Sequence, residues 1–299
     1  MSRMAIIGLG LIGGSVGLAL RRAKADVEVV GFARRPEVAS RAIEIGAADR
    51  TEGSLSSAVK GADLVLIATP TTAMKAILAE IGGSLDEGCI VTDVASTKAK
   101  VMGWAEESLP PSTSFIGGHP MAGKETSGIE AADADLFAGC TYCLIPGPSA
   151  TKEAIDTMDD LVKKIGARPL FIDAYEHDSL VAAISHLPIV ISAALVSMIT
   201  KSPSWPEMAK LAATGFRDLT RLASGSPEMS RDICLTNKEP IIRWIDEYIQ
   251  ELERFRRLVS EGGEELEEAF VRARKAREGW QRGLAKNSCV GNGLLWNSG

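Results

Sequence analysis

The sequence predicts a two-part α/β protein, in which a parallel sheet covered by helices on both faces is followed by a wholly helical half. Three observations carry this. Short runs rich in Val and Ile alternate with helical patterns as far as Asp173, and strands apolar on both faces belong to buried parallel sheets. A glycine-rich turn follows the first strand directly. After Asp173 the strand pattern stops. At 299 residues the chain is long for one domain. The boundaries expected are 1–173 for the sheet domain, 174–282 for the helical domain and 283–299 for a loose tail.

Element by element, MAIIGL, VEVVGF, DLVLIATP and CIVTDV read as strands, with helices starting at Gly13, Pro36, Thr71 and Thr97. TSFIGG, TYCLIP and ARPLFID extend the sheet, and TKEAIDTMDDLVKKIG is a helix between the last two. From Tyr175 to about Arg282 the pattern is helical, interrupted at SPSWP and SGSPEM. The most apolar stretch, LVAAISHLPIVISAALVSMI, carries a histidine, a proline and three serines, which suits a buried core helix better than a membrane span. The run KEPIIRWIDEYIQELERFRRLV is amphipathic. The final KNSCVGNGLLWNSG lacks periodicity.

A formal net charge of −6 argues against a nucleic-acid or anionic-membrane surface. The first strand begins almost at once, so no signal or transit peptide is expected and the location predicted is cytoplasmic. Five cysteines are scattered along the chain, which fits a reducing compartment. Cys140 and Cys143 form a C-x-x-C on a strand pattern with no second pair, so buried, inert thiols and no metal site are expected.

GLGLIGGS gives G-x-G-x-x-G at Gly8, Gly10 and Gly13, with Leu11 and Ile12 in the same turn. Its place between first strand and first helix makes it a dinucleotide site of the Rossmann type: a tight turn, a close approach for pyrophosphate, and a helix N-terminus facing the anion. NAD sites usually carry a carboxylate about 20 residues on. Counting from Gly13 reaches Ala33, and Arg34 and Arg35 follow instead. A guanidinium pair binds a 2′-phosphate well, so NADP is expected, with NAD as the alternative if the arginines are only solvated surface charges.

Ligands of such sheets bind outside the carboxyl ends of the strands. Three successive strand ends place Thr69 and Pro70, then Ser96, then His119 at that edge. His119, in GGHPMAGKETSG, is one of three histidines in the chain.

In these motifs the chain resembles the prephenate/arogenate dehydrogenase family of tyrosine biosynthesis: GLGLIGGS, DVASTK, GGHPMAGKE, EHDSLVAAISHLP and GFRDLTRLASGSPEM, in the family's order. The resemblance implies a 6-phosphogluconate dehydrogenase-like arrangement, with the helical half as a dimerisation domain and a homodimer as the assembly. It implies oxidative decarboxylation of a cyclohexadienol, arogenate or prephenate. Hydride leaves the ring carbon bearing the 4-hydroxyl, carbon dioxide leaves from the opposite position, and the ring becomes aromatic. His119 matches the histidine that draws off the hydroxyl proton, and Ser96 the serine that holds hydroxyl and histidine in register. Arg221 matches the carboxylate-binding arginine, and Asp178 the acid that pairs with it and gates entry. Arg217 is four residues before Arg221, on the same helical face, and could support it or be a surface charge. Lys124 stands where relatives often carry threonine and could meet a substrate carboxylate.

Nine residues at about 100° each put His177 and His186 on opposite faces of an unbroken helix. Asp178 and Ser185, seven apart, share a face. Ser185 is therefore expected at the substrate, His186 near the interdomain cleft, and His177 in a structural role. Many prephenate-using relatives read SHLPH, but here that last position is Ile189. A histidine there could donate to the ketone of prephenate; isoleucine cannot, which favours arogenate. Neither a fused mutase nor a regulatory domain is expected. The rival readings are another NADP-dependent 3-hydroxyacid dehydrogenase, which would rely on a helical lysine, and a non-catalytic NADP sensor, which would not need His119.

Overall fold

The computed structural model of the chain describes residues 1–124 and 126–289, with side chains given as far as residue 283. Eight strands form one sheet: β1 (Arg3–Ile7), β2 (Glu28–Phe32), β3 (Arg50–Thr51), β4 (Leu64–Ile67), β5 (Ile90–Asp93), β6 (Ser114–Pro120), β7 (Thr141–Pro146) and β8 (Arg168–Phe171). Their spatial order is β3-β2-β1-β4-β5-β6-β7-β8. The first six are mutually parallel in the 3-2-1-4-5-6 order of dinucleotide-binding sheets. β7 turns back antiparallel to β6, and β8 runs parallel to β7. Every long strand run expected is present; the short β3 and the reversal at β7 are additions.

The helices are α1 (Leu11–Arg22), α2 (Pro36–Glu44), α3 (Leu55–Val59), α4 (Met74–Ile81), α5 (Ala99–Ser108), α6 (Lys152–Lys164), α7 (Ala174–Val181), α8 (Leu187–Thr200), α9 (Trp205–Leu211), α10 (Thr214–Thr220), α11 (Pro227–Thr236), α12 (Lys238–Glu261) and α13 (Glu264–Cys289). Met4, Ile6, Leu64 and Leu66 face one layer of the core, and Ala5, Ile7, Val65 and Ile67 the other. Both faces are dry, which is why these strands read as unbroken apolar runs.

Asp173 caps α7, its Oδ1 accepting from the amides of Tyr175 at 2.8 Å and Glu176 at 3.1 Å. α7 and α8 form one continuous helical stretch, joined by a π-helical turn over Ala182–His186. Pro188 explains the widened turn. It has no amide to donate, and its ring would press on the carbonyl four residues back, at Ile184.

Two expectations change here. The apolar stretch is not a buried core helix: within Ala174–Thr200 only 22% of the most apolar window is buried, and Met198 and Ile184 are 65% and 70% exposed. Its surface is too apolar to be a solvated face, so it is a surface in need of a partner. Residues 283–289, expected to be loose, instead continue α13 to Cys289; Leu284, Ala285 and Lys286 are all strong helix formers. Residues 290–299 lie outside the described residues. By packing, the chain forms two compact units, Met1–Ile241 and Ile242–Gly299. Hydrogen bonds from α7 and α11 to the sheet-end loops, given below, group these helices with the sheet.

Candidate active site

The glycine turn has the shape its spacing implies. Gly8 has φ +99°, and a Cβ there would lie 2.4 Å from the Ala68 carbonyl oxygen. A Cβ on Gly13 would lie 2.0 Å from the Gly8 oxygen. Gly10 differs: nothing lies within 4 Å of its Cβ position. It caps α1 without a side chain, and no acidic residue sits in the first turn, so no side-chain cap serves the leading amides of the helix that Gly10, Leu11 and Ile12 begin. Arg34 and Arg35 are exposed just beyond β2, with Arg35 3.9 Å from Glu37.

After β4, the Thr69 hydroxyl is buried without a hydrogen-bond partner, beside the Gly8 turn. Pro70 opens the 3-10 turn Thr71–Ala73. That loop is held from α11, where the buried Asp232 accepts from the Thr72 amide at 3.0 Å and from its hydroxyl at 2.8 Å. Burial pushes the Asp232 carboxyl up, but the Thr72 amide and Arg231 outweigh this and leave it below the usual carboxylate range.

His119 is not a turn residue. It lies within β6, which outruns β5: the β5 pairing ends at Thr92↔Ile116, whereas His119 pairs with Cys143 of β7. The glycines before it allow the close fit. A Cβ on Gly118 would lie 2.4 Å from the Asp93 carbonyl oxygen, and one on Gly117 2.8 Å from the Met102 sulfur. Asp93 and Lys98, both from TDVASTK, form a wholly buried ion pair. They grip Gly118 from two sides: its amide donates to Asp93 Oδ1 at 3.1 Å, and Lys98 Nζ donates to its carbonyl at 2.7 Å. Burial draws the Lys98 ammonium below its ordinary pKa, although Asp93 opposes this.

His119 Nδ1 lies 2.8 Å from His177 Nε2, with the rings edge-on. His177 Nδ1 is 2.8 Å from Asp178 Oδ1. The same carboxylate accepts the Lys98 amide at 2.7 Å and the Ala99 amide at 2.9 Å, at the start of α5. His186 is buried; its Nδ1 is 3.1 Å from Asn237 Nδ2, which also donates to the Asp178 carbonyl at 2.8 Å. His186 Nε2 is buried without a partner. All three histidines of the chain thus meet in one network, because the π turn rotates His186 away from the face an unbroken helix would give it. Burial, reinforced by His177, Lys98 and His186, holds His119 well below the ordinary imidazole pKa. Burial also lowers His186, to about 4.

Several expected roles are redistributed. Asp178 does not stand at the mouth of the site: it is buried, and its carboxylate is committed to the α5 amides and His177. His177, expected to be structural, touches His119 directly. Lys124 turns to Asp133, at 2.9 Å, and so lies on an exposed loop rather than reaching inward. Arg217 is exposed and paired with Asp218. Arg221 opens an exposed 3-10 turn, which is tied to α8 by the Ala223 amide donating to Ser192 Oγ at 2.9 Å. Ser96 is half-buried, with its backbone beside His186, and Ser185 is half-buried in the π turn. Burial raises the Cys140 thiol to about 11 and Cys143 in the same direction, which disfavours the thiolate at both. No grouping of His, Cys, Asp and Glu among the described residues suits a metal ion.

A family profile described as "Prephenate dehydrogenase, nucleotide-binding domain" matches residues 16–170, and "Prephenate dehydrogenase, dimerization domain" matches residues 173–274. The prephenate dehydrogenase of Bacillus subtilis (strain 168) is 39% identical over 277 residues, covering 92% of this chain and 75% of that protein. The chain belongs to the prephenate dehydrogenase family. Prephenate dehydrogenase from A. aeolicus, in a crystal structure with hydroxyphenyl propionate and NAD⁺, superposes with a TM-score of 0.87 at 30% identity, covering 93% of this chain and 98% of that one. Synechocystis arogenate dehydrogenase superposes with a TM-score of 0.80 at 29% identity, covering 93% and 99%. This member of the prephenate dehydrogenase family is therefore a nicotinamide-dependent oxidoreductase with a nucleotide-binding sheet and a helical region that matches the family's dimerization domain.

Proposed function

We propose that the chain oxidatively decarboxylates arogenate to tyrosine with NADP⁺, as a cytoplasmic homodimer, and that His119 accepts the 4-hydroxyl proton. The observation that carries the catalytic part is the His119 ring. One nitrogen is held by His177, and no hydrogen bond engages the other among the described residues. The dinucleotide fits the residues present. The open Cβ position at Gly10 and the uncapped α1 amides suit a pyrophosphate, and the unpartnered Thr69 hydroxyl suits a polar group at the nicotinamide end. When bound, the nicotinamide supplies the hydride acceptor.

The protein's own residues do the rest. Ser96 orients the 4-hydroxyl, and His119 Nε2 takes its proton as hydride leaves the ring carbon. Loss of carbon dioxide makes the ring aromatic, and the phenolate oxygen recovers the proton from His119. No net proton is released, so the site requires one acceptor and accurate positioning. Arg221 binds a substrate carboxylate, with Arg217 in support, and Ser185 and His186 line the ring. The exposed apolar surface of α8 supports the homodimer.

NADP is favoured by Arg34 and Arg35 standing where a ribose-binding carboxylate would otherwise be, and arogenate by Ile189 in place of a histidine. A second reading, prephenate with NAD⁺, is supported by the name of the Bacillus subtilis relative and by the NAD⁺ complex of the A. aeolicus enzyme. Purified protein should be assayed for nicotinamide reduction with each substrate crossed against each cofactor. Turnover of arogenate with NADP⁺, reduced at least tenfold in an Arg34→Ala/Arg35→Ala double variant, supports the proposal; prephenate with NAD⁺ replaces it with the second reading. A His119→Ala variant as active as the parent would leave a different dehydrogenase or a sensor.

A further inference from the structure

His119 is an awkward proton acceptor as placed. Burial and three cationic or cation-forming neighbours, His177, Lys98 and His186, all oppose a positive charge on its ring. A base in such a position needs two things: a lone pair on the nitrogen that meets substrate, and a counter-charge for the proton it receives.

The hydrogen-bond chain behind it supplies both. The Asp178 carboxylate can only accept, so His177 Nδ1, 2.8 Å away, carries its hydrogen. The amides of Lys98 and Ala99 at the N-terminus of α5 both donate to that carboxylate. In a neutral His177 the lone pair is then on Nε2, which faces His119 Nδ1 at 2.8 Å. His119 must donate at that contact, and its own lone pair falls on Nε2. His186 is set the opposite way. Asn237 Nδ2 is pinned by the Asp178 carbonyl and donates to His186 Nδ1, so the His186 hydrogen sits on Nε2.

We propose that Asp178 and His177 are positioning residues that fix His119 as the Nδ1–H tautomer and offset the charge it gains during the reaction. This rests on the proposed role of His119 as proton acceptor. When the substrate O–H bond breaks and the Nε2–H bond forms, His119 becomes a cation whose Nδ1–H points along the chain toward Asp178. No proton passes to His177 or Asp178; the one taken by Nε2 returns to the phenolate oxygen.

With three histidines in the chain, all in this network, histidine-selective ¹⁵N labelling reads their tautomers without background. The full-length protein at pH 7.5 should show His119 protonated on Nδ1 and bare on Nε2, and His186 the reverse. His177→Gln can place its side-chain oxygen near the lost Nε2 and accept from His119, whereas His177→Asn keeps only the Asp178 end. The Asn variant should lose on the order of 10²-fold in kcat with KM little changed, and the Gln variant should recover about tenfold of that. Finding the His119 hydrogen on Nε2, or full kcat in His177→Asn, overturns the proposal. Absence of turnover by the parent protein with either cyclohexadienol acid defeats the functional reading instead, and the ring spectra then decide the tautomers alone.

Discussion

Asp232 accepts both the backbone amide and the hydroxyl of Thr72, at 3.0 and 2.8 Å, across 160 residues of sequence. One buried carboxylate on α11 thereby fixes the loop that leaves β4, which the proposed function sets at the nicotinamide end of the dinucleotide site. Asp232→Ala should weaken dinucleotide binding about tenfold and cost roughly 1.5–3 kcal/mol of stability, as lost hydrogen bonds to a charged group do. Thr72→Val should show the smaller part of both effects. Dinucleotide titration and urea unfolding measure them; unchanged affinity in Asp232→Ala would remove this carboxylate from the site's support.

Gly10 separates ligand binding from folding. Its φ of −90° suits any residue, and its Cβ position is open. Gly10→Ala should fold within about 1 kcal/mol of the parent, since that is the size of alanine's disadvantage to glycine at an N-cap. Its dinucleotide KM should nevertheless rise at least tenfold. Gly8→Ala and Gly13→Ala should instead lose stability outright, because each new methyl meets a carbonyl oxygen. Equal cofactor affinity in Gly10→Ala and the parent would argue that the pyrophosphate lies elsewhere.

Acid should weaken the fold through two neutral imidazoles. His119 and His186 have folded pKa values below the ordinary 6.5, His186 at about 4. Below pH 6.5 the unfolded chain therefore binds more protons than the folded one, and stability falls as pH falls, until the folded values are passed. From His186 alone the loss at pH 5 is roughly 2 kcal/mol relative to pH 7. Urea midpoints at the two values test this, and His186→Gln should narrow the gap. Turnover should follow the same sign: the neutral His119 is the working base, so kcat/KM is flat above pH 6.5 and drops only on the acid side.

Met198, 65% exposed on the apolar α8 surface, is the place to test the assembly. Met198→Glu puts a charge into the face proposed to meet a second copy and should convert the dimer to a monomer in light scattering. A parent protein that is already monomeric at micromolar concentration would dispose of the dimer.

The sheet was legible because its strands obey one rule: residues buried on both faces must be apolar in sequence order, as in MAIIGL and DLVLIA. The phosphate turn was legible because steric demands at Gly8 and Gly13 leave no other residue. The histidine network was not. Angular reasoning on an α-helix sent His177 and His186 to opposite faces, and the π turn forced by Pro188 invalidates that arithmetic. Asp93 and Lys98 were visible within TDVASTK, but five residues across a strand-to-helix bend give no periodicity from which to infer an ion pair. Asp232 and Asn237 act across contacts 160 and 51 residues long, which no local pattern reports.

The overhang of β6 past β5 has a consequence for how this protein fails. His119 is carried by backbone pairing with Cys143, not by a mobile loop, and Gly118 beneath it is clamped by a buried ion pair. The proposed base therefore has no low-energy way to drift. Its amide should exchange with solvent as slowly as the central strands, and heating should abolish catalysis and melt the sheet over the same few degrees. Arg221 and the loop that carries Lys124 are exposed and lie outside that clamped strand, so local motion there leaves the proposed base in place.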